Sequence, residues 1–375
     1  MKYMGSKKSM LLNGLGRVLE HELKTATRFV DLFSGSGAVA IHVAVNYPLE
    51  VISNDLQEYS AILAGSVIER QSIINSDSIW NKWENDALDI ARKYNYPEFD
   101  RITQKNVSIY RIWCSQQNEL TITKAYGGHY LSPKQSVTLD SLLQAIPQGE
   151  PIGKAAKAAL IHTASTCVAS PGHTAQPFQP TRTLKPFIKL AWDQDVLTIT
   201  KQNLKTICSM CAMSKGKALI ADANAITDQI NQTDVVFIDP PYSGVHYSRF
   251  YHVFETIARG YCGEVAGAGR YPVPEMRPKS KYSLSGQSDI ALDSLLSAIS
   301  LKGATVILTF PKHKCSNGLS GRKVKNIAKK YFKIDESSVK SSFSTLGGAG
   351  IKNNGRKARK RANELILILK PIIDK

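Results

Sequence analysis

Residues 235–242 read VVFIDPPY, and no other stretch restricts the fold of this 375-residue chain as strongly. Val235, Val236, Phe237 and Ile238 form a short apolar run rich in β-branched residues, the composition of a strand buried on both faces. The strand has to stop at Asp239. Pro240 and Pro241 supply no N–H groups for a ladder and limit the backbone on either side. A carboxylate, two stiffened peptides and an aromatic ring, Tyr242, are thereby set at the carboxyl end of a central strand. In open α/β sheets that edge is where ligands bind.

This constellation suits chemistry at an exocyclic amine, which is a poor nucleophile because its lone pair is delocalised into the base. A site that helps accepts hydrogen bonds from both N–H bonds and so favours a tetrahedral nitrogen in the transition state. Asp239 offers one acceptor, the Pro240 carbonyl another, and Tyr242 a face for stacking. Taken alone, DPPY also suits a strand terminator followed by a turn.

Upstream, residues 27–33 are a second buried strand (Phe29, Val30, Leu32, Phe33) that runs into Ser34-Gly35-Ser36-Gly37, and a small-residue helix follows over 38–45. Strand, glycine turn and helix let a ligand approach backbone N–H groups at a helix amino terminus. The spacing of Gly35, Gly37 and Ala40 by itself suits a dinucleotide equally well. About 20 residues further on, a strand over 49–53 ends at Asn54-Asp55, and an acidic residue there can hold ribose hydroxyls. Residues 217–222, KALIAD, form another short strand with an acidic end. Together these pieces predict an α/β chain with an adenosine-binding βαβ half.

The formal net charge of +17 is unevenly placed. Residues 312–375 hold 17 Lys/Arg against 4 Asp/Glu, so +13 of the +17 lies in the last sixth of the chain. A polyanionic partner follows, nucleic acid being the commonest, against the plainer reading of a solvated basic face. The six cysteines show no disulfide-like pattern, which suits a reducing compartment. Cys208-Ser-Met-Cys211 is a lone CxxC without the second pair a zinc site usually needs, so no metal is expected. No signal-like segment and no 18-residue apolar run is present, so a soluble cytoplasmic protein without membrane contact is expected.

FSGSG after a strand, an acidic residue after the next strand and DPPY after the central strand resemble the S-adenosylmethionine-dependent DNA adenine-N6 methyltransferases. YMGSK at residues 3–7 is similar to that family's tenth motif, which precedes the glycine motif in the group with this order. The resemblance covers residues 2–60, about 217–260 and the closing strands. It implies a Rossmann-like methyltransferase sheet with an antiparallel closing hairpin, the cofactor S-adenosyl-L-methionine and duplex DNA as partner. Tyr3 and Lys7 would border the cofactor. Asp31, Gly35 and Gly37, with Phe33 beside them, would hold its methionine end, Asp55 its ribose and Asp222 its adenine amino group. Asp239, Pro240, Pro241 and Tyr242 would take the target base. A prokaryotic or phage-encoded enzyme is implied, and a cognate restriction endonuclease is a candidate partner that the residues neither demand nor exclude.

The chain departs from the family pattern over residues 61–214, where the motif order needs a single helix. Helical patterns at 60–74, 79–94 and 153–166, broken by turn-rich stretches at 126–134, 146–153 and 170–186, predict a large, mainly helical insertion. It is a candidate target-recognition domain, or a brace for the catalytic domain formed by 1–60 and 215–375. Phe250, Val253, Phe254 and Ile257 predict a helix from about residue 248 with one face on the sheet, and His246 and Arg249 at its start are candidate DNA contacts. Residues 260–287 read as an irregular basic and aromatic loop, with Arg277 and Lys279 as DNA contacts. A closing hairpin over 337–346 and 364–369 would carry the basic stretch 351–361, so Arg356, Lys357, Arg359, Lys360 and Arg361 are expected beside the phosphate backbone, adding salt-dependent affinity without sequence choice.

Three alternatives stay open on these residues. One keeps the chemistry with cytosine N4 or RNA adenine as acceptor. Another is a nucleic-acid-binding module with a silent core, which the intact Asp239, Asp55 and glycine pair argue against. A nicotinamide-dependent dehydrogenase rests on the glycine spacing alone and leaves DPPY and the basic end unexplained.

Overall fold

Seven strands run through one sheet: β1 (Arg28–Asp31), β2 (Glu50–Asp55), β3 (Lys217–Ile220), β4 (Asp234–Ile238), β5 (Thr305–Pro311), β6 (Phe332–Ser344) and β7 (Arg359–Pro371). The computed structural model describes residues 7–98, 101–344 and 359–372. The spatial order is β3-β2-β1-β4-β5-β7-β6. The first five strands are parallel, and β7 is antiparallel to both of its neighbours.

Burial explains the continuous apolar runs. All five residues of β4 are buried. Alternate side chains feed two cores, because successive residues of a strand point to opposite faces. Val236 and Ile238 pack with Leu292, Leu295 and Ile299 of the helix Ser288–Lys302. Val235 and Phe237 pack with Leu15, with Leu19 of the helix Gly16–Glu22, Val39 and Val43 of the helix Ala38–Asn46, and Ala64 and Ile68 of the helix Glu58–Ile68. At the amino ends of β1 and β4, Arg28 Nη2 meets Asp234 Oδ2 at 2.7 Å, which helps hold their register.

The closing hairpin is longer than expected. β6 begins at Phe332 and pairs with β7 from Phe332↔Pro371 to Ser344↔Arg359, whereas β5 pairs with β7 only as far as Pro311↔Glu364. Reversal of β7 therefore brings Glu364, where its pairing with β5 ends, to the carboxyl end of β5.

Contacts divide the chain into two compact units, and this sheet unit takes residues 7–71, 211–247 and 278–372 of those described. The helix Glu58–Ile68 belongs to it, although the insertion was expected to start at residue 61.

The other unit comprises residues 72–210 and 248–277. Its helices are Ser76–Ala91, Gln104–Ser115, Thr121–Tyr126, Pro133–Gln144, Ile152–Cys167, Lys185–Trp192, Val196–Cys208 and His252–Arg259. Side-chain caps set several starts: Ser132 and Gln135 form a reciprocal capping box ahead of Pro133, and the buried Asp140 carboxylate accepts from the Ile122 and Thr123 amides.

Two expectations are corrected here. The helix expected to lie on the sheet, His252–Arg259, is in the helical unit, against Ile152–Cys167 and Thr121–Tyr126. Its residues 252–258 are all buried, so it is covered on every side and not on one face. Residues 260–277 are also more ordered than a loop. Val265–Ala266 pairs with Tyr271–Pro272, Arg270 Nε donates to the Ala125 carbonyl at 2.9 Å and Tyr130 Oη to the Gly269 carbonyl at 2.9 Å. Among the described residues no helix is long and apolar enough to cross a membrane.

Candidate active site

Parallel β1, β2 and β4 end on the same edge of the sheet, with Asp31 in register with Ser53 and Phe237. Asp239 follows one residue past β4. Its Oδ1 accepts from Thr309 Oγ1 on β5 at 2.8 Å and lies 3.0 Å from Lys7 Nζ. The same ammonium is 2.9 Å from Glu364 Oε2. Lys7 and Glu364 are buried, and the Asp239 side chain keeps 18% of its surface.

The electrostatics follow from this geometry. Burial works to neutralise Lys7, yet Asp239 and Glu364 outweigh it and hold its pKa above the ordinary lysine value. Burial raises Asp239 above the ordinary carboxylate range; Lys7 pulls it down and Glu364 adds to the rise. Tyr242 is pushed up to about 12, mainly by burial. Its ring stands edge-on to Tyr247, centroids 6.3 Å apart. Asn317 Nδ2 donates to the Pro241 carbonyl at 2.8 Å and to the Tyr282 carbonyl at 3.0 Å, fixing the diproline turn without using the Pro240 carbonyl.

The glycine turn lies beside this group. Gly35 and Gly37 have φ of +54° and +72°, the left-handed region that glycine tolerates best. A Cβ on Gly37 would come 3.2 Å from Ala64 Cα and from Ile41 Cδ1. Asp55 accepts from Gly35 N at 2.8 Å and Gln57 N at 3.0 Å, so its carboxylate braces the turn. Burial raises the Asp55 carboxyl. Asp31 is fully buried beside Phe33, whose N–H reaches it at 3.3 Å. Burial pushes Asp31 up to about 8, helped by the charges of Asp239 and Asp55. Asp222 caps the short helical turn after β3 through Asn224 N at 2.9 Å.

These residues fit a cationic, adenosine-bearing cofactor. Asp31 is a buried carboxylate in need of a positive partner. Asn54 Oδ1 and Gln57 Nε2, buried on either side of Asp55, have no hydrogen-bond partner among the described residues. A polar ligand at this edge would supply what all three lack.

The expected DNA contacts are divided between the units. His246 Nδ1 accepts from Ser280 N at 3.2 Å in the sheet unit, where Lys279 is exposed. In the helical unit the Arg249 and Arg277 guanidinium carbons lie 4.5 and 5.8 Å from the Tyr271 ring centroid. Arg359, Lys360 and Arg361 open β7. Tyr3, Arg356 and Lys357 lie outside the described residues. Sequence reasoning missed Thr309, Asn317 and Glu364. For Glu364 the available signal was a single acidic residue among apolar ones at the start of the strand ELILIL.

The chain is 25% identical over 301 residues to the modification methylase StsI of Streptococcus sanguinis, covering 80% of this chain and 42% of that protein. It is 26% identical over 311 residues to the type II methyltransferase M.FokI of Planomicrobium okeanokoites, covering 79% and 42%. The modification methylase LlaI of Lactococcus lactis subsp. lactis is 25% identical over 276 residues. The chain thus spans about two fifths of the length of these relatives. Residues 3–136 and 172–302, more than two thirds of the chain, match the D12 class N6 adenine-specific DNA methyltransferases. Carrying the glycine turn, the acidic strand ends and DPPY in that match, the chain belongs to the D12 class N6 adenine-specific DNA methyltransferase family.

Proposed function

We propose that this chain transfers the methyl group of S-adenosyl-L-methionine to N6 of an adenine flipped out of duplex DNA, at specific sites. The observation that carries the reading is the Asp239 carboxylate, held by Lys7 and Thr309 ahead of two prolines, on the sheet edge that also carries the glycine turn. When bound, the cofactor supplies an electrophilic methyl group on a sulfonium. Asp31 holds its amino group, the Gly35–Gly37 turn accommodates its methionine end, Asp55 takes the ribose and Asp222 the adenine amino group. Asp239 and the Pro240 carbonyl accept from the target amine and aim its lone pair along the transfer axis. Tyr242 stacks on the base, which has to leave the duplex to reach the pocket.

The helical unit, residues 72–210 with 248–277, selects the target sequence. Arg249 and Arg277, stacked on Tyr271, suit contacts to phosphate or guanine. Lys279, His246 and the basic stretch 351–361 add backbone contacts that carry affinity but no sequence information. Two of the relatives are named modification methylases, and on that footing a cognate endonuclease is a proposed partner and the bacterial cytoplasm the proposed site of action.

The test is methyl transfer from labelled cofactor to unmethylated duplex DNA, followed by digestion and identification of the modified nucleoside, with Asp239→Ala as control. N6-methyladenine made only by the unaltered protein is expected. N4-methylcytosine, or product on RNA alone, overturns the acceptor. Wild-type turnover by Asp239→Ala overturns the mechanism.

A further inference from the structure

Glu364 is a buried carboxylate that the mechanism above does not use. It lies beyond the family match, which ends at residue 302, and reaches the site because β7 runs antiparallel to β5 and leaves it at Pro311↔Glu364. There Lys7 Nζ bridges Glu364 Oε2 at 2.9 Å and Asp239 Oδ1 at 3.0 Å. Both Lys7 and Thr309 meet the same oxygen of Asp239, so its second oxygen, Oδ2, is left out of both contacts.

We propose that Glu364 is a positioning residue for the methyl transfer: it shares the Lys7 ammonium with Asp239, so that Lys7 locks the Asp239 rotamer through Oδ1 without taking the acceptor strength that Oδ2 offers the target amine. The inference rests on the proposed reaction at Asp239. One cation between two carboxylates leaves the trio with one net negative charge. An ammonium given wholly to Asp239 would make a neutral pair, and a carboxylate so neutralised is a weaker hydrogen-bond acceptor. Among the described residues, the other ionisable groups around the trio are Asp31 at the end of β1, Asp55 at the end of β2, Tyr242 after β4 and Cys315 after β5, and each interacts with a member of the trio or with Asp31. None of these is a cation, so among the described residues Lys7 carries the positive charge of the group.

The signs can be tested because the two partners of Asp239 act in opposite directions. Glu364 raises the Asp239 carboxyl and Lys7 lowers it. In Glu364→Gln the acid limb of the kcat/KM profile moves to lower pH, while kcat at neutral pH falls on the order of tenfold, as expected for a weakened acceptor, and the KM for cofactor is unchanged. Glu364→Asp keeps the charge and restores the wild-type limb. A residue that only braced the hairpin would lower the fraction of folded protein and leave the limb in place.

The experiment is the pH profile of methyl transfer by the full chain and both variants, with far-UV circular dichroism to confirm folding. It is paired with a 13C NMR titration of aspartate carboxyls, the Asp239 signal being assigned with Asp239→Asn. A downward shift of the limb and of the Asp239 titration in Glu364→Gln supports the proposal. An unmoved or upward-moving Asp239 titration overturns it. Absence of methyl transfer by the unaltered protein sinks the assigned reaction instead, and the carboxyl titration still decides whether Glu364 acts on Asp239.

Discussion

Lys7 Nζ lies 3.0 Å from Asp239 Oδ1, joining the amino-terminal turn to the end of β4. A buried Asp239 would favour its neutral form, and a neutral acid accepts poorly from an amine. Lys7 supplies the field that opposes burial. In Lys7→Met the Asp239 carboxyl rises, so the acid limb of methyl transfer moves to higher pH, opposite to the shift expected for Glu364→Gln. Two carboxylates are also left facing each other. Urea unfolding at neutral pH is expected to show a loss of about 3–5 kcal/mol, the range for removing one member of a buried ion pair.

Asp239→Ala removes the acceptor and leaves the glycine turn untouched. Methyl transfer falls by about 10³-fold, the scale of losing one preorganised hydrogen-bonding group at a reacting centre. Cofactor affinity, read by calorimetry, stays within about threefold of the unaltered protein, a difference under 1 kcal/mol.

Asp31 ties stability and cofactor binding to pH. Its folded-state pKa, about 8, lies above the ordinary carboxylate value. Between roughly pH 4 and pH 8 the folded state therefore binds the proton more tightly than the unfolded state, and this contribution to stability is lost as pH rises through about 8. Asp31→Asn removes that slope, so the variant gains stability over the unaltered protein at pH 9 relative to pH 5. In the proposed reading, the cofactor's ammonium pairs with the ionised Asp31 carboxylate. Binding at pH 7 thus releases protons, measurable by calorimetry in buffers of different ionisation enthalpy. Asp31→Asn releases none from this site and binds about 10–100-fold more weakly, the scale of a charged hydrogen bond.

Gly37 tests the turn. Alanine there meets both a left-handed φ of +72° and the Ala64 backbone at 3.2 Å. Gly37→Ala is expected to cost about 1–2 kcal/mol from the backbone conformation alone. Thermal melts read this loss, and the displaced turn lowers cofactor affinity with it.

Replacing Arg356, Lys357, Arg359, Lys360 and Arg361 by glutamine tests the basic stretch. If each meets one phosphate, the slope of log K against log salt flattens by about 0.9 per charge removed. The ratio of specific to non-specific affinity stays the same, since such contacts carry no base information. A changed site preference would instead assign these residues to base reading.

Much of the sheet unit was legible because its signals are local. VVFIDPPY sets a buried strand and its stop within eight residues, and the glycine turn with Asp55 follows the same logic. The helical unit was less legible. Lys185–Trp192 begins inside a stretch rich in Pro and Thr, and Pro133–Gln144 inside one read as a turn. In both, proline stands in the first helical turn, where the missing N–H costs nothing, so a breaker signal marked a start.

What the sequence by itself determined is where β2 and β4 stop, at Asp55 and Asp239, and that a glycine turn follows the first strand, although it ran that strand on to residue 33, two residues past the observed end at Asp31. Only the tertiary structure decided which groups meet Asp239. Lys7, Thr309 and Glu364 come from a turn, a parallel strand and an antiparallel strand, and their meeting depends on strand order and register. The same holds for residues 248–277, which follow DPPY in the chain yet pack with the helical unit. Short-range steric and hydrogen-bonding limits act within a few residues and can be read from sequence. Burial of an ionic trio is fixed by long-range pairing, which no local pattern encodes.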